Sequence, residues 1–295
     1  MNIDGSLIEV IVFADSGIHT MLLDRFGGRR VAISEIMTGR IAVLEDAPQV
    51  VLITGGARGI GFETAQAFAK KGNRIILADI DGSALSSAKD QLQSAGYRVH
   101  IIEVDIASES SVAAMYAFVD RSYSRLDVLV HSAAVIGRVD NKIPRIEHMP
   151  LDVWNRVIGI NLTGTFLVNR GAVPLMKRNG WGRIINIAST AGRMRIGDVS
   201  YSSSKTGVLG FSRWLAGDVA RDGITVNSVA PTQVATGMTA SFANDGSVER
   251  KIAENPTGRL ATTQDVAAAV LFLASEEASF ITGTVIDVNG GSFMQ

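Results

Sequence analysis

The chain has no cysteine in 295 residues. That excludes disulfides, a thiol nucleophile and any thiolate metal site. It lacks an excess of charge of either sign: 28 Lys and Arg stand against 29 Asp and Glu, a formal net charge of −1. Nothing in that balance favours a nucleic acid or an anionic membrane as partner. No run approaches the ~18 uncharged apolar residues of a membrane span; the apolar stretch Leu7–Ala14 is short and carries Glu9. The N-terminus is acidic before its first cation, Arg25, which does not fit a secretory signal. The expectation is a cytoplasmic protein with no membrane association.

What the chain has is apolar content, 46% of residues, with only 19% charged. That is a globular composition with material for a large core. Thirty glycines exceed the usual share of about 7%, as suits tight turns and close approach of backbone to a ligand.

Two textures divide the chain. Residues 1–47 carry short β-like runs, Leu7–Ala14, Arg30–Glu35 and Arg40–Glu45, the last two flanking a turn at Gly39. This predicts a small β-rich arm with a hairpin. From residue 48 to 295, short apolar strands alternate with helical patterns. Predicted strands are Val50–Ile53, Arg74–Ala78, Arg98–Val104, Val128–Val130, Arg183–Ile187, Ile224–Val229 and Thr284–Val288. Predicted helices are Phe62–Lys71, Ser83–Ala95, Ser108–Ser124, Asp152–Arg170, Ser202–Asp222 and Thr263–Ser275, with Ser83, Ser108 and Thr262 or Thr263 as N-caps. Continuous apolar strands separated by helices predict an α/β domain, a parallel sheet covered on both faces.

The first of these strands runs into Thr54-Gly55-Gly56-Ala57-Arg58-Gly59-Ile60-Gly61, and a helical pattern follows. Glycines here let the backbone turn sharply and approach a pyrophosphate, whose charge faces a helix N-terminus. The next strand ends at Asp79, where a carboxylate can accept from ribose hydroxyls and repels a 2′-phosphate. Arg58 pulls the other way, as a cation that could hold such a phosphate. A carboxylate at bonding distance outweighs a longer-range cation, so NAD is the expected cofactor, with NADP the lesser alternative.

Tyr201 and Lys205 are four residues apart, on one face if helical. A phenol near pKa ~10 is a poor base at neutral pH, and a neighbouring cation favours its ionised form. Such a Tyr can remove an alcohol proton or return one to a carbonyl. Ser189 follows the strand Arg183–Ile187, at the strand end where open α/β sheets bind ligands, and its hydroxyl can hold a substrate oxygen. Asn161 sits mid-helix, where its propensity is poor.

Together these segments resemble the short-chain dehydrogenase/reductase family over residues 48–295. The matching stretches are TGGARGIG at 54–61, Asp79, Asp105, NLTG at 161–164, NIAS at 186–189, YSSSK at 201–205, VNSVAP at 226–231 and ITGTVIDVNGG at 281–291. The resemblance implies a Rossmann-type doubly wound parallel sheet of seven strands with helices on both faces, and a homotetramer. It implies Tyr201 as general acid/base and Lys205 as the group that lowers its pKa and holds the nicotinamide ribose. Ser189 would orient the substrate oxygen, and Asn161 would hold a water in a relay behind Lys205. Gly55, Arg58, Gly59, Ile60 and Gly61 would meet the pyrophosphate, and Asp79, Asp105 and Ile106 the adenosine. Ser132, Ala133, Pro231, Val234 and Thr236 would line the nicotinamide half. No metal is implied.

The resemblance suggests an alcohol dehydrogenase or ketoreductase acting on a secondary alcohol/ketone pair with NAD. The alternatives are an NADPH-dependent 3-oxoacyl-carrier-protein reductase and, in another class, a non-catalytic NAD-binding scaffold or sensor. Departures from the family's pattern stand at His131-Ser132-Ala133-Ala134, where Asn-Asn-Ala-Gly is usual, and at Thr232, where Gly often follows Pro231. His131 is read as a structural substitute for an Asn that braces the sheet. Arg138, Arg193 and Arg195 lie on loops near the expected mouth, either as a solvated rim or as partners for an acidic substrate group.

Overall fold

The computed structural model describes residues 48–140, 142–235 and 247–294, together with the backbone of 7–14 and 17–24. In the N-terminal arm, β1 (Leu7–Ala14) pairs antiparallel with β2 (Gly17–Asp24). The strand expected at Leu7–Ala14 is present, and its partner is the segment directly after it. The hairpin expected across Gly39 lies outside the described residues.

The main body alternates strands and helices. In order come β3 (Val50–Thr54), α1 (Gly59–Lys70), β4 (Arg74–Asp79), α2 (Gly82–Ser94), β5 (Val99–Glu103), α3 (Glu109–Tyr123) and β6 (Val128–His131). Then follow α4 (Leu151–Ile158), α5 (Gly164–Asn179), β7 (Gly182–Ile187), α6 (Val199–Val219), β8 (Ile224–Pro231), α7 (Ser247–Glu254), α8 (Thr263–Leu273) and β9 (Val285–Val288). The sheet is seven-stranded with order β5-β4-β3-β6-β7-β8-β9, every pairing parallel. This is the doubly wound Rossmann-type sheet, and its order reverses between β3 and β6, the point where such sheets bind ligands beyond their carboxyl ends.

Alternation along the strands builds two cores. Val51 and Ile53 pack with Phe68, Leu85 and Val270 of α1, α2 and α8, whereas Val50 and Leu52 pack with Met115, Leu167 and Leu215 of α3, α5 and α6. Both faces being covered explains why the strands read as unbroken apolar runs. Each fully buried Leu, Ile or Val contributes about 1.5–3 kcal/mol relative to exposure, so the central strands anchor the residues at their carboxyl ends.

The helix starts differ from expectation where an earlier acid can reach further. The α2 cap is Asp81, whose carboxylate accepts from the Ala84 amide at 2.9 Å, and Ser83 lies inside the helix. Likewise α6 begins before Ser202, at Val199, because Asp198 caps it through the Tyr201 amide at 2.9 Å. Ser108 and Thr262 cap α3 and α8 as expected. The helix expected over Asp152–Arg170 is two helices joined by a π-helical turn at Gly159–Thr163, and α5 continues through Pro174 to Asn179.

Candidate active site

The loop from β3 to α1 turns on two glycines in the left-handed region, Gly55 at φ +63° and Gly59 at φ +54°. A Cβ on Gly55 would stand 2.7 Å from the Ala133 nitrogen, and one on Gly61 would stand 2.1 Å from the Gly55 oxygen. The backbone is therefore bare because there is no room for side chains. Arg58, the residue before α1, makes no side-chain cap, so the first amides of the helix have no side-chain acceptor there. These amides border a groove of about 690 Å³ lined by Gly55, Arg58, Gly59 and Ile60, by Asp79 at the end of β4, and by Asp105 and Ile106 after β5. Uncapped helix amides and a glycine cradle fit a pyrophosphate, and the acid at the second strand end fits a ribose.

Asp79 accepts from the Ala57 amide at 3.2 Å and the Asp81 amide at 3.3 Å. The Arg58 guanidinium pairs with the carboxylate of Asp81, two residues beyond Asp79. Sequence reasoning passed over Asp81; its signal was an Asp three residues before Ala84, at N-cap spacing. Its ion pair with Arg58 and its hydrogen bonds from Ala84 and Ser83 hold its carboxyl below the usual range, the backbone bond to Ala84 leading.

Across Ile60, Ser132 and Ala134 the groove adjoins a second cavity of about 320 Å³. Ser189, Tyr201 and Lys205 line it together, with Pro231 at the end of β8 and Val234 just beyond it. Val234 is fixed by a parallel bridge to Ala261; Thr236 lies outside the described residues. The remaining lining is mostly aliphatic, from Ile136, Ile143, Ile187 and Ile196. Apart from Lys205, the charged residue lining this cavity among those described is Lys251.

Electrostatics at the pair are set by burial. Lys205 is 3% exposed, its Nζ donates to the Ile187 carbonyl at 2.7 Å and lies 5.7 Å from the Tyr201 ring centre. Removal from water lowers its pKa to about 8. For Tyr201 burial leads and raises the pKa, the hydrogen bond with the Ser189 hydroxyl lowers it, and the Asp198 charge raises it further. The depression expected from Lys205 thus does not dominate in the chain by itself; the phenol is protonated at neutral pH.

Asn161 is 1% exposed and sits in the π-helical turn. Its side chain accepts from the Val135 amide at 2.8 Å and donates to the Val135 carbonyl at 2.9 Å and to Ser204 Oγ at 3.0 Å. The side-chain amide thus copies a neighbouring strand and ties the chain after β6 to α6. The π bulge re-aims one side chain out of helical register, which accounts for a polar residue mid-helix. Replacing Asn161 with Ala leaves both Val135 groups unpaired; we expect a loss of about 2 kcal/mol, read by urea unfolding.

Asp198, 2% exposed, also accepts from the Gly137 amide at 2.9 Å, so one carboxylate fixes both the loop after β6 and the start of α6. Sequence reasoning passed over it; its signal was an Asp three residues before Tyr201, at N-cap spacing. Of the three loop arginines, none lines the cavity of Tyr201 among the described residues. Arg193 pairs with Asp287 of β9 at 2.7 Å, Arg195 is exposed, and both face a neighbouring cavity of about 790 Å³.

A family model described as enoyl-(acyl carrier protein) reductase matches residues 55–292. The chain is 37% identical over 248 residues to the 3-oxoacyl-[acyl-carrier-protein] reductase of Aquifex aeolicus, covering 83% of this chain and 97% of that protein. It is 34% identical over 246 residues to 2-dehydro-3-deoxy-L-rhamnonate dehydrogenase (NAD(+)) of a Sphingomonas species, covering 83% and 95%. Among solved structures, levodione reductase superposes with a TM-score of 0.77 at 30% identity, covering 82% of this chain and 96% of its own. Relatives of different activity lie at nearly equal identity, so the likeness to an acyl-carrier-protein reductase is one of several.

Proposed function

The chain belongs to the short-chain dehydrogenase/reductase family, and we propose that it is an NAD-dependent oxidoreductase interconverting an apolar secondary alcohol and its ketone. The observation that carries this reading is one cavity in which the Ser189 and Tyr201 hydroxyls and the Lys205 ammonium meet, opening onto a groove with Asp79 at its far end. A nicotinamide dinucleotide, when bound, supplies the hydride donor or acceptor. The chain's residues do the rest. Gly55, Gly59 and the first amides of α1 receive the pyrophosphate, and Asp79 receives the adenosine ribose.

Ser189 holds the substrate oxygen beside the Tyr201 hydroxyl. In reduction the protonated phenol donates to that oxygen as negative charge develops on it. In oxidation the phenolate accepts the alcohol proton, and the Lys205 charge stabilises the phenolate. Burial raises the Tyr201 pKa, so at neutral pH the free chain holds the phenol in the form that donates in reduction. The aliphatic lining from Ile136, Ile143 and Ile196 suits an apolar substrate body.

The preference for NAD rests on Asp79 together with the pairing of Arg58 to Asp81, which leaves the cation already matched. Initial rates on a ketone panel, taken side by side with NADH and NADPH, test it: NADH supports the faster reduction. Changing Asp79 to Ser removes the charge that repels a 2′-phosphate, and the ratio of kcat/KM for NADH to NADPH then falls by at least about tenfold, the equivalent of 1.4 kcal/mol. A parent that prefers NADPH returns the reading to a 3-oxoacyl-carrier-protein reductase, the activity for which the Aquifex aeolicus relative is named.

A further inference from the structure

The row of side chains above one core is polar, and it is not fully satisfied. Leu52, Leu129, Ile184 and Val226 are register partners across β3, β6, β7 and β8, within the core beneath α3, α5 and α6. Two residues further along each strand the same face carries Thr54, His131, Asn186 and Ser228, again in register. Asn186 is engaged on both sides: its Nδ2 donates to Asn169 Oδ1 at 3.1 Å and Ser212 Oγ at 3.0 Å, and its Oδ1 accepts from Asn169 at 3.0 Å. His131 is engaged on one side only. Its Nδ1 lies 2.7 Å from Thr54 Oγ1, while its Nε2, in a residue 3% exposed, has no hydrogen-bond partner.

An unpartnered buried ring nitrogen calls for an explanation, and the surroundings supply one. Lys205 reaches in from α6, and its Nζ is held by the carbonyl of Ile187, the residue after Asn186, which is the register partner of His131. An ammonium has three N–H donors, and among the described residues this one has that single acceptor. Burial first, and then the Lys205 charge, lower the His131 pKa to about 3, so the imidazole is neutral. A neutral ring has one N–H and one lone pair. With Nδ1–H given to Thr54, Nε2 presents the lone pair, the form that a neighbouring cation favours.

We propose that His131 is a positioning residue for Lys205: its Nε2 accepts, directly or through one buried water, a hydrogen bond from the Lys205 ammonium and so keeps that charge in place beside Tyr201. The inference rests on the reading of Tyr201 and Lys205 as an acid/base pair. The other groups around the pair are the Ser189 hydroxyl after β7 and the Asp198 carboxylate before α6, which bear on Tyr201, and Lys251 of α7, which lines the same cavity; all are unaltered in His131 variants.

The test is a pH titration of the Lys205 side chain by NMR of 13C-labelled lysine, its signal assigned by its loss in Lys205→Arg, so that it reads the Lys205 pKa without turnover. Losing the acceptor weakens the charged form of Lys205, whose pKa burial has already lowered to about 8. His131→Leu is expected to lower the midpoint by about half a unit or more, roughly a threefold loss of ammonium at a given pH above it. His131→Gln, whose Oε1 reaches the place of Nε2, restores the midpoint; His131→Asn, which reaches only the place of Nδ1, does not. An unmoved midpoint in His131→Leu, or an Asn that restores as fully as Gln, overturns the proposal and leaves His131 a brace to Thr54. Should the Leu variant fail to fold, the Gln and Asn variants decide by the same comparison. Failure of the parent to form NADH would strike the oxidoreductase reading instead, and this titration would still report on His131.

Discussion

Tyr201→Phe is expected to lower kcat by about a thousandfold, the scale of a lost general acid, while NADH affinity and the unfolding midpoint stay at their parent values. The change removes one oxygen and keeps the ring. The phenol lines the cavity beside Ser189, so its loss exposes no new apolar surface and leaves the core packing intact. In reduction, the developing alkoxide then has the Ser189 hydroxyl but no donor of matched acidity. Because the groove that holds Asp79, Gly55 and Asp105 does not include Tyr201, adenosine and pyrophosphate contacts are untouched. Steady-state rates with an NADH fluorescence titration check both halves. A variant that turns over at the parent rate would show that another group delivers the proton.

Gly55→Val is expected to weaken NADH binding by at least about a hundredfold, equivalent to two hydrogen bonds of ~1.4 kcal/mol each. Two penalties act together. The φ of +63° places any L-residue in the left-handed region, at a cost of about 1–2 kcal/mol. The added Cβ would also stand 2.7 Å from the Ala133 nitrogen and 2.8 Å from its Cα, both backbone atoms that cannot step aside cheaply. The loop must therefore lift from β6, carrying the first amides of α1 away from where a pyrophosphate would sit. The strands beneath keep their own sheet and helix partners, so the thermal midpoint falls by only a few degrees. NADH fluorescence and thermal unfolding of the same samples separate loss of the site from loss of the fold. Parent-level affinity in the variant would mean that the pyrophosphate does not use this loop.

Much of this was legible in the chain because burial on both faces writes a parallel strand as a short apolar run. Val50–Ile53, Val128–Val130 and Ile224–Val229 are such runs, and each lies within an observed strand. The glycine loop was legible because its position between strand and helix dictates its conformation. Helix starts were harder: Ser83 is a good cap in isolation and lost to Asp81 two residues earlier, and the helix read from Ser202 starts at Val199 because Asp198 caps it. The π-helical turn at Gly159–Thr163 was visible only as an ill-placed Asn161. Pairings through space left no trace: Arg58 with Asp81 across a crossover, Arg193 with Asp287 across the sheet, and His131 beside Thr54 depend on the fold being made first. In the N-terminal arm β1 is an apolar run, whereas β2, GIHTMLLD, mixes polar and apolar residues without strict alternation and was passed over.

The central claim is that this chain passes a hydride between a secondary alcohol and NAD. Its most direct test is the rise of the NADH absorbance band when the protein is mixed with NAD and a panel of apolar secondary alcohols. The account predicts NADH and the matching ketone in equal amounts from at least one of them. Saturable NAD binding with no NADH from any alcohol, and no NADH consumption with any of the corresponding ketones, would contradict it and leave a nucleotide-binding scaffold.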